Sequence, residues 1–269
     1  MAMNKKRIII VIILILSAAL IGILGFILFK NINNMNSKDK YNQAASSYAN
    51  FESEAESTAA STAASQTQKP TEKAEKNPID FASLQNRNPD IYAWIKMNDT
   101  NINYPVVQSP KNDIFYLDHD LDGNYAFAGS IYSQLCNSRN FQDRVTVLYG
   151  HNMLDGSMFA DIYKLADQDF FNSTETFTIY TPDNRLDYTI VSVFEYDDRH
   201  IMNSYNFSDD SDYQSFIDEI MKPRSVTSMV RKGEKLTTND KIVVLSTCVN
   251  YGEGRFLAVG KLKKQTKLK

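Results

Sequence analysis

Only two cysteines and three histidines occur among 269 residues, and none falls in a Cys-x-x-Cys or His-Glu-x-x-His pattern. Structural zinc sites draw about four such ligands from short, paired spacings, so no metal centre is expected. The chain also lacks a Gly-x-Ser-x-Gly elbow and a Gly-x-x-x-x-Gly-Lys-Ser/Thr run, the signatures of many serine hydrolases and of phosphate-cradling loops. With a formal charge of −3 and no basic stripe interleaved with aromatics, nucleic acid is not an expected partner. No repeat with a period of about 20 to 50 residues is visible. Nothing calls for a cofactor.

Charge is missing altogether from residues 8–29, which consist of Ile, Leu, Val, Ala, Gly, Phe and one Ser. Such a run is long enough to cross a hydrocarbon layer of about 30 Å as a helix. A signal peptide is the competing reading. Its apolar core is normally about 7 to 15 residues and leads into a small-residue cleavage site. Here the run is longer and Lys30 and Asn31 follow it, which favours an uncleaved anchor. Lys5, Lys6 and Arg7 precede the run, so the positive-inside rule keeps residues 1–7 in the cytoplasm and places everything after Lys30 outside. The expected protein is single-pass in the cell membrane, with its folded part extracellular.

Residues 30–77 are dominated by Ser, Ala, Thr, Asn, Gln, Glu and Lys, with a low-complexity run at 57–65 and Pro70 and Pro78 near the far end. They hold too little apolar surface to fold alone and are expected to form a flexible extracellular linker that contributes location only. Residues 78–262 suit one domain, and the basic tail 263–269 is expected to fray in solvent. That domain reads as mostly β with added α. Strand candidates rich in Val, Ile, Thr, Tyr and Phe lie at 102–107, 144–149, 177–181, 187–194, 241–247 and 255–261. A long helix is signalled by Asp209 or Ser211 as N-cap and by the apolar stripe Tyr213, Phe216, Ile217, Ile220 and Met221, and Pro223 ends it. Shorter helices are expected near 80–86 and 161–167.

Chemistry concentrates at the end of the chain. Cys248 closes the run Lys241-Ile-Val-Val-Leu-Ser-Thr-Cys248, and Arg255 opens the next after a short loop containing Gly252 and Gly254. Two β-rich runs so joined predict an antiparallel hairpin that sets a thiol beside a guanidinium. His151 follows another strand candidate, where side chains emerge from a sheet into a loop. A Cys136–Cys248 disulfide is the bland alternative in an exported domain. The two cysteines differ in surroundings, however: Cys248 has a cation and a candidate base nearby, and Cys136 has no comparable cluster. One reactive thiol and one incidental one is the better account. His119 and His200 read as surface or core residues.

Leu245-Ser-Thr-Cys248 followed by Arg255, with His151 in Tyr149-Gly-His-Asn-Met153, resembles the sortase signature Thr-Leu-x-Thr-Cys with its His and Arg. Asp90-Ile-Tyr-Ala-Trp94-Ile, Thr100-Asn-Ile-Asn-Tyr-Pro-Val-Val107, Tyr116-Leu-Asp118, Gly129-Ser-Ile131 and Gly150-His-Asn-Met-Leu-Asp-Gly-Ser-Met-Phe159 are similar to the class B branch. The resemblance spans essentially residues 78–262. One departure is Val244 where the signature has Thr; it shares a strand face with Ser246 and Cys248.

The resemblance implies an eight-stranded β-barrel with an N-terminal helix and a long helix before the penultimate strand, preceded by one transmembrane helix. It implies a cysteine transpeptidase of a Gram-positive type envelope, which cleaves an Asn-Pro-x-Thr-like C-terminal sorting signal of secreted proteins. The acyl group would pass through a thioester to an amine of peptidoglycan or of its lipid-linked precursor. Cys248 would be the nucleophile, with positive neighbours favouring its thiolate. His151 would move protons, and Arg255 would orient substrate or stabilise the oxyanion. Ser246, Thr247, Leu117 and Ile201 are candidate substrate contacts. Two other readings stay open: a tethered cysteine endopeptidase that only hydrolyses, and a non-catalytic surface-binding domain.

Overall fold

The structure, a computed structural model, describes residues 5–51, 75–249 and 253–269; the low-complexity run 57–65 and the centre of the hairpin loop with Gly252 lie outside them. Helix α1 (Lys5–Tyr48) carries the apolar run, whose section Ile10–Phe29 has mean hydropathy 3.1 and no buried residue. At 1.5 Å per residue this section is about 30 Å long, the thickness of a hydrocarbon layer.

Beyond the apolar section, residues 30–51 depart from the flexible linker expected at 30–77, whose residues 52–74 lie outside the described ones. The helix continues to Tyr48 and its last turns dock on the folded domain. Tyr41 and Ala44 are buried, Tyr41 meets the Tyr104 ring edge-on at 5.5 Å, and Phe51 packs against Tyr180 at 5.6 Å. Composition failed as a guide because a polar helix needs only one thin apolar stripe to dock when a finished surface receives it. A truncation through residue 77 therefore removes part of the core as well as location.

Among the described residues nine strands follow: β1 (Ile91–Lys96), β2 (Asn103–Val107), β3 (Ile131–Tyr132), β4 (Val145–Tyr149), β5 (Thr176–Tyr180), β6 (Asn184–Tyr196), β7 (Ser228–Val230), β8 (Ile242–Cys248) and β9 (Arg255–Lys267). Eight of them run in the order β5-β1-β2-β3-β4-β8-β9-β6, and pairing of β5 with β6 closes the ring. This is the expected eight-stranded barrel, which leaves only β7 as an outer edge on β6. Helix α2 (Phe81–Arg87) opens the domain with Asp80 as N-cap, and α3 (Gln168–Ser173) and α4 (Ile201–Ser204) are short. The helix expected near 161–167 is a 3-10 segment, Ala160–Ala166.

The long helix is α5 (Asp210–Met221), and Asp209 is its cap: one carboxylate oxygen accepts from Ser211 N at 2.9 Å and Asp212 N at 3.0 Å. Such a cap is worth about 1 kcal/mol. Short β7, absent from the sequence reading, intervenes between α5 and the penultimate strand β8. The tail expected to fray at 263–269 is corrected as well. Strand β9 runs to Lys267 because β6 offers it a partner as far as Asn184, and Leu268 is buried.

Alternation along β8 and β9 sorts the core into two parts. Val243, Leu245, Phe256 and Ala258 fill the barrel, whereas Val244, Leu257 and Val259 face outward beneath Phe216, Ile217 and Ile220 of α5. The outward parity continues to Ser246, Cys248 and Arg255. The layer that buries the outer face thus ends where the functional residues begin.

Candidate active site

The hairpin places Cys248 opposite Arg255 as the last cross-strand pair of β8 and β9. Directly opposed residues stand about 4.5 to 5.5 Å apart, so the pairing brings the thiol and guanidinium branches to one spot. On the other side of β8, parallel β4 pairs Tyr149 with Ser246, and Gly150 N donates to Ser246 O at 3.1 Å. The chain then leaves the sheet at His151. Gly150 is required there, since a Cβ would lie 2.5 Å from the Ile131 side chain and 2.8 Å from the Phe159 ring.

A cleft of about 230 Å³ opens over these strand ends. Cys248, His151, Arg255, Ser246, Thr247, Leu117 and Ile201 all line it, so every site residue named from the sequence is gathered in one place. Ser246 and Thr247 are themselves 3% and 2% exposed, Thr247 having the parity of the barrel interior. Their side chains are strand residues beneath the cleft more than its walls. Cys248 and Cys136 are both free and exposed thiols. Packing around its sulfur and the nearby carboxylate of Asp113 push the Cys136 thiol up, which disfavours its thiolate.

His151 Nε2 lies 2.8 Å from the Leu117 carbonyl. A carbonyl only accepts, so Nε2 carries a hydrogen and the neutral ring keeps Nδ1 for proton transfer. The Phe127 ring stacks on the imidazole at 5.7 Å. Burial pulls the His151 pKa below its ordinary value, against the opposing effects of the Leu117 bond and the Asp118 charge. Between that lowered value and about 6.5 the unfolded chain binds more protons than the folded one. Fold stability should therefore be fully present above about pH 6.5 and fall as pH drops through His151's folded value. Urea titrations of wild type and His151→Gln at a series of pH values check this: the slope below 6.5 should be shallower in the variant.

Several functional positions were not legible in sequence. Asn152 Nδ2 and the Tyr163 hydroxyl donate to the Cys248 carbonyl at 3.2 and 3.4 Å, holding the Cys248 backbone from two separate segments. Asn152 at least follows His151; nothing marks Tyr163. His200, read as a surface or core residue in the segment before the long helix, lines the cleft with Arg199, and its Nε2 donates to Gln134 Oε1 at 2.8 Å. His119 lies outside the cleft, with Nδ1 bonded to the Phe115 carbonyl at 2.8 Å and Asp118 at 2.7 Å. Arg255 Nη1 donates to the carbonyls of Glu253 and Gly254 at 3.1 and 3.2 Å, so backbone, not the Glu253 carboxylate, orients it.

A thiol, an imidazole and a guanidinium on one cleft floor are the parts of a cysteine acyl-transfer site. Comparison with known proteins agrees. The family model described as "Sortase domain" matches residues 95–263. A sortase B of Listeria monocytogenes is 35% identical over 186 residues, covering 68% of this chain and 74% of that protein. A sortase B of Staphylococcus aureus is 33% identical over 190 residues, covering 68% and 75%. Among solved structures, sortase B from Bacillus anthracis superposes with a TM-score of 0.68 at 32% identity, over 87% of this chain and 99% of that one. That of Clostridium perfringens gives 0.62 at 34%, over 69% and 100%. The chain belongs to the sortase family of cysteine transpeptidases, which act in anchoring proteins to the cell wall, on its sortase B branch.

Proposed function

We propose that this protein cleaves a C-terminal sorting signal of secreted proteins, of Asn-Pro-x-Thr type or a close variant, and joins the new C-terminus to an amine of peptidoglycan or its lipid-linked precursor. The observation that carries the reading is the convergence of Cys248, His151 and Arg255 on one cleft at the β8–β9 end. The Cys248 thiolate attacks the scissile carbonyl, and collapse of the tetrahedral adduct breaks the C–N bond to give a thioester. His151 gives the leaving amine its proton and takes one from the incoming amine. Arg255, permanently charged, serves by fixed charge and donor geometry, not as an acid or base. Leu117 and Ile201 supply apolar wall, with Ser246 and Thr247 below.

The apolar section of α1 spans the membrane, with Lys5, Lys6 and Arg7 on the cytoplasmic side and the barrel outside, in a Gram-positive type envelope. Support comes from the length and hydropathy of Ile10–Phe29 and from the class of the relatives. The test is incubation of the full chain in detergent with a peptide library plus an amine acceptor, with products identified by mass. Amide-exchanged product is the expected outcome; free acid alone, even with excess amine, would make the protein an endopeptidase. No product at all would leave it a binding domain.

A further inference from the structure

Two groups from one segment, residues 115–130, hold His151: the Leu117 carbonyl accepts its Nε2–H and the Phe127 ring covers its face. The same segment is gripped from behind by the end of α1. The Tyr41 hydroxyl, buried, donates to the Gly129 carbonyl at 2.7 Å and sits 2.8 Å from Ser130 Oγ, which donates to the His119 carbonyl at 2.9 Å. Gly129 in turn lies directly on the carbonyl that His151 uses. At its φ of +57°, a Cβ there would be 2.3 Å from Leu117 O, so backbone touches backbone with no side chain between. One turn of chain away, Lys40 pairs with Asp120, a buried carboxylate whose other oxygen accepts from Asp122 N at 2.9 Å and Asn124 N at 3.0 Å.

From these contacts we infer that α1 is a positioning element of the active site: Tyr41, through Gly129 and the Leu117 carbonyl, sets the orientation and tautomer of His151. The inference rests on reading His151 as the proton-transfer residue. A continuous path of hydrogen bonds and backbone contact joins the two; its Tyr41 and Gly129 steps are buried or sterically confined, and its last step, the Leu117 bond to His151, is exposed. Tyr41 lies 12 residues past Phe29, about 18 Å along a continuous helix. The contact that orients the imidazole is thus built on the same rigid rod that carries the apolar section. Burial pushes the Tyr41 phenol up, so it stays a donor at all working pH values.

Tyr41→Phe tests this in the full chain, because it removes the hydroxyl and keeps the ring against Tyr104. Loosening the segment changes both the burial that lowers the His151 pKa and the Leu117 bond that raises it, so the titration should move from its wild-type position. The other titratable or charged groups near the ring are Asp118, which moves with the segment, and Asp198, Arg199, His200, Cys248 and Arg255 around the cleft, which lie on other segments. Carbon-13 NMR of ring-labelled histidine should therefore show the His151 titration displaced from that of the wild type. Turnover of an Asn-Pro-Ala-Thr peptide should fall about tenfold in kcat with little change in KM. Ile179→Val, a comparably mild core loss on β5, should leave the His151 titration where it is. An unchanged His151 titration in Tyr41→Phe overturns the inference, whether or not turnover falls. Normal turnover in His151→Ala overturns instead the catalytic reading of His151, and the titration in Tyr41→Phe still decides the coupling.

Discussion

Replacing Cys248 by alanine should abolish cleavage, a loss of about 10⁴-fold or more, while Cys136→Ala retains activity within about twofold. The asymmetry has a structural cause. Cys248 ends β8 with the outward parity, opposite Arg255 and on the same cleft as His151. Cys136 lies in the loop before Asn137, and its thiol is pushed up by packing and by Asp113. Both sulfurs are exposed, so access does not distinguish them; the raised Cys136 thiol and the Arg255 and His151 neighbours of Cys248 do. Mass-resolved alkylation at neutral pH should accordingly label Cys248 first and stop turnover in proportion. Loss of activity in both alanine variants would overturn the assignment.

His151→Ala should cost about 10²–10⁴-fold in turnover, the usual span for removing a positioned general acid or base. Arg255→Ala should cost about 10²–10³-fold, as when a charge or donor at a developing oxyanion is removed. Arg255→Lys keeps the charge and loses the planar fork, so it should retain more activity than the alanine variant. The two roles separate in their pH behaviour. A bell-shaped rate profile in the wild type belongs to Cys248 and His151 as a coupled pair, so its shape should survive Arg255→Lys and lose one limb in His151→Ala. Near-normal turnover in His151→Ala together with loss in His200→Ala would move the base to His200, which shares the cleft.

What the sequence determined by itself is what depends on neighbours along the chain. Runs rich in Val, Ile, Leu, Thr and Phe located β8 and β9, the short loop set their antiparallel pairing, and the Cys248–Arg255 match follows from that register alone. The stripe from Tyr213 to Met221 and the Asp209 cap marked α5 because each is a property of a few consecutive residues. Strand β1 is buried from Ile91 to Ile95, as β8 is from Ile242 to Thr247, so neither alternates, and β1 lacks the Val-rich run that marks β8. The two-residue β3 and three-residue β7 are too short to carry a period at all.

Tertiary structure alone decided how residues 37–51 and the tail pack and what holds the candidate site residues in place. Residues 37–51 look like a soluble coil until the barrel offers Gly129, Ser130 and Asp120 as partners. The tail past 262 looks frayed until β6 extends beside it. Tyr41 meets Gly129 across 88 positions and Asn152 and Tyr163 reach Cys248 across 96 and 85. Contacts at such separations leave no periodic trace, since they depend on where closure of the barrel brings the segments and not on what precedes or follows each residue.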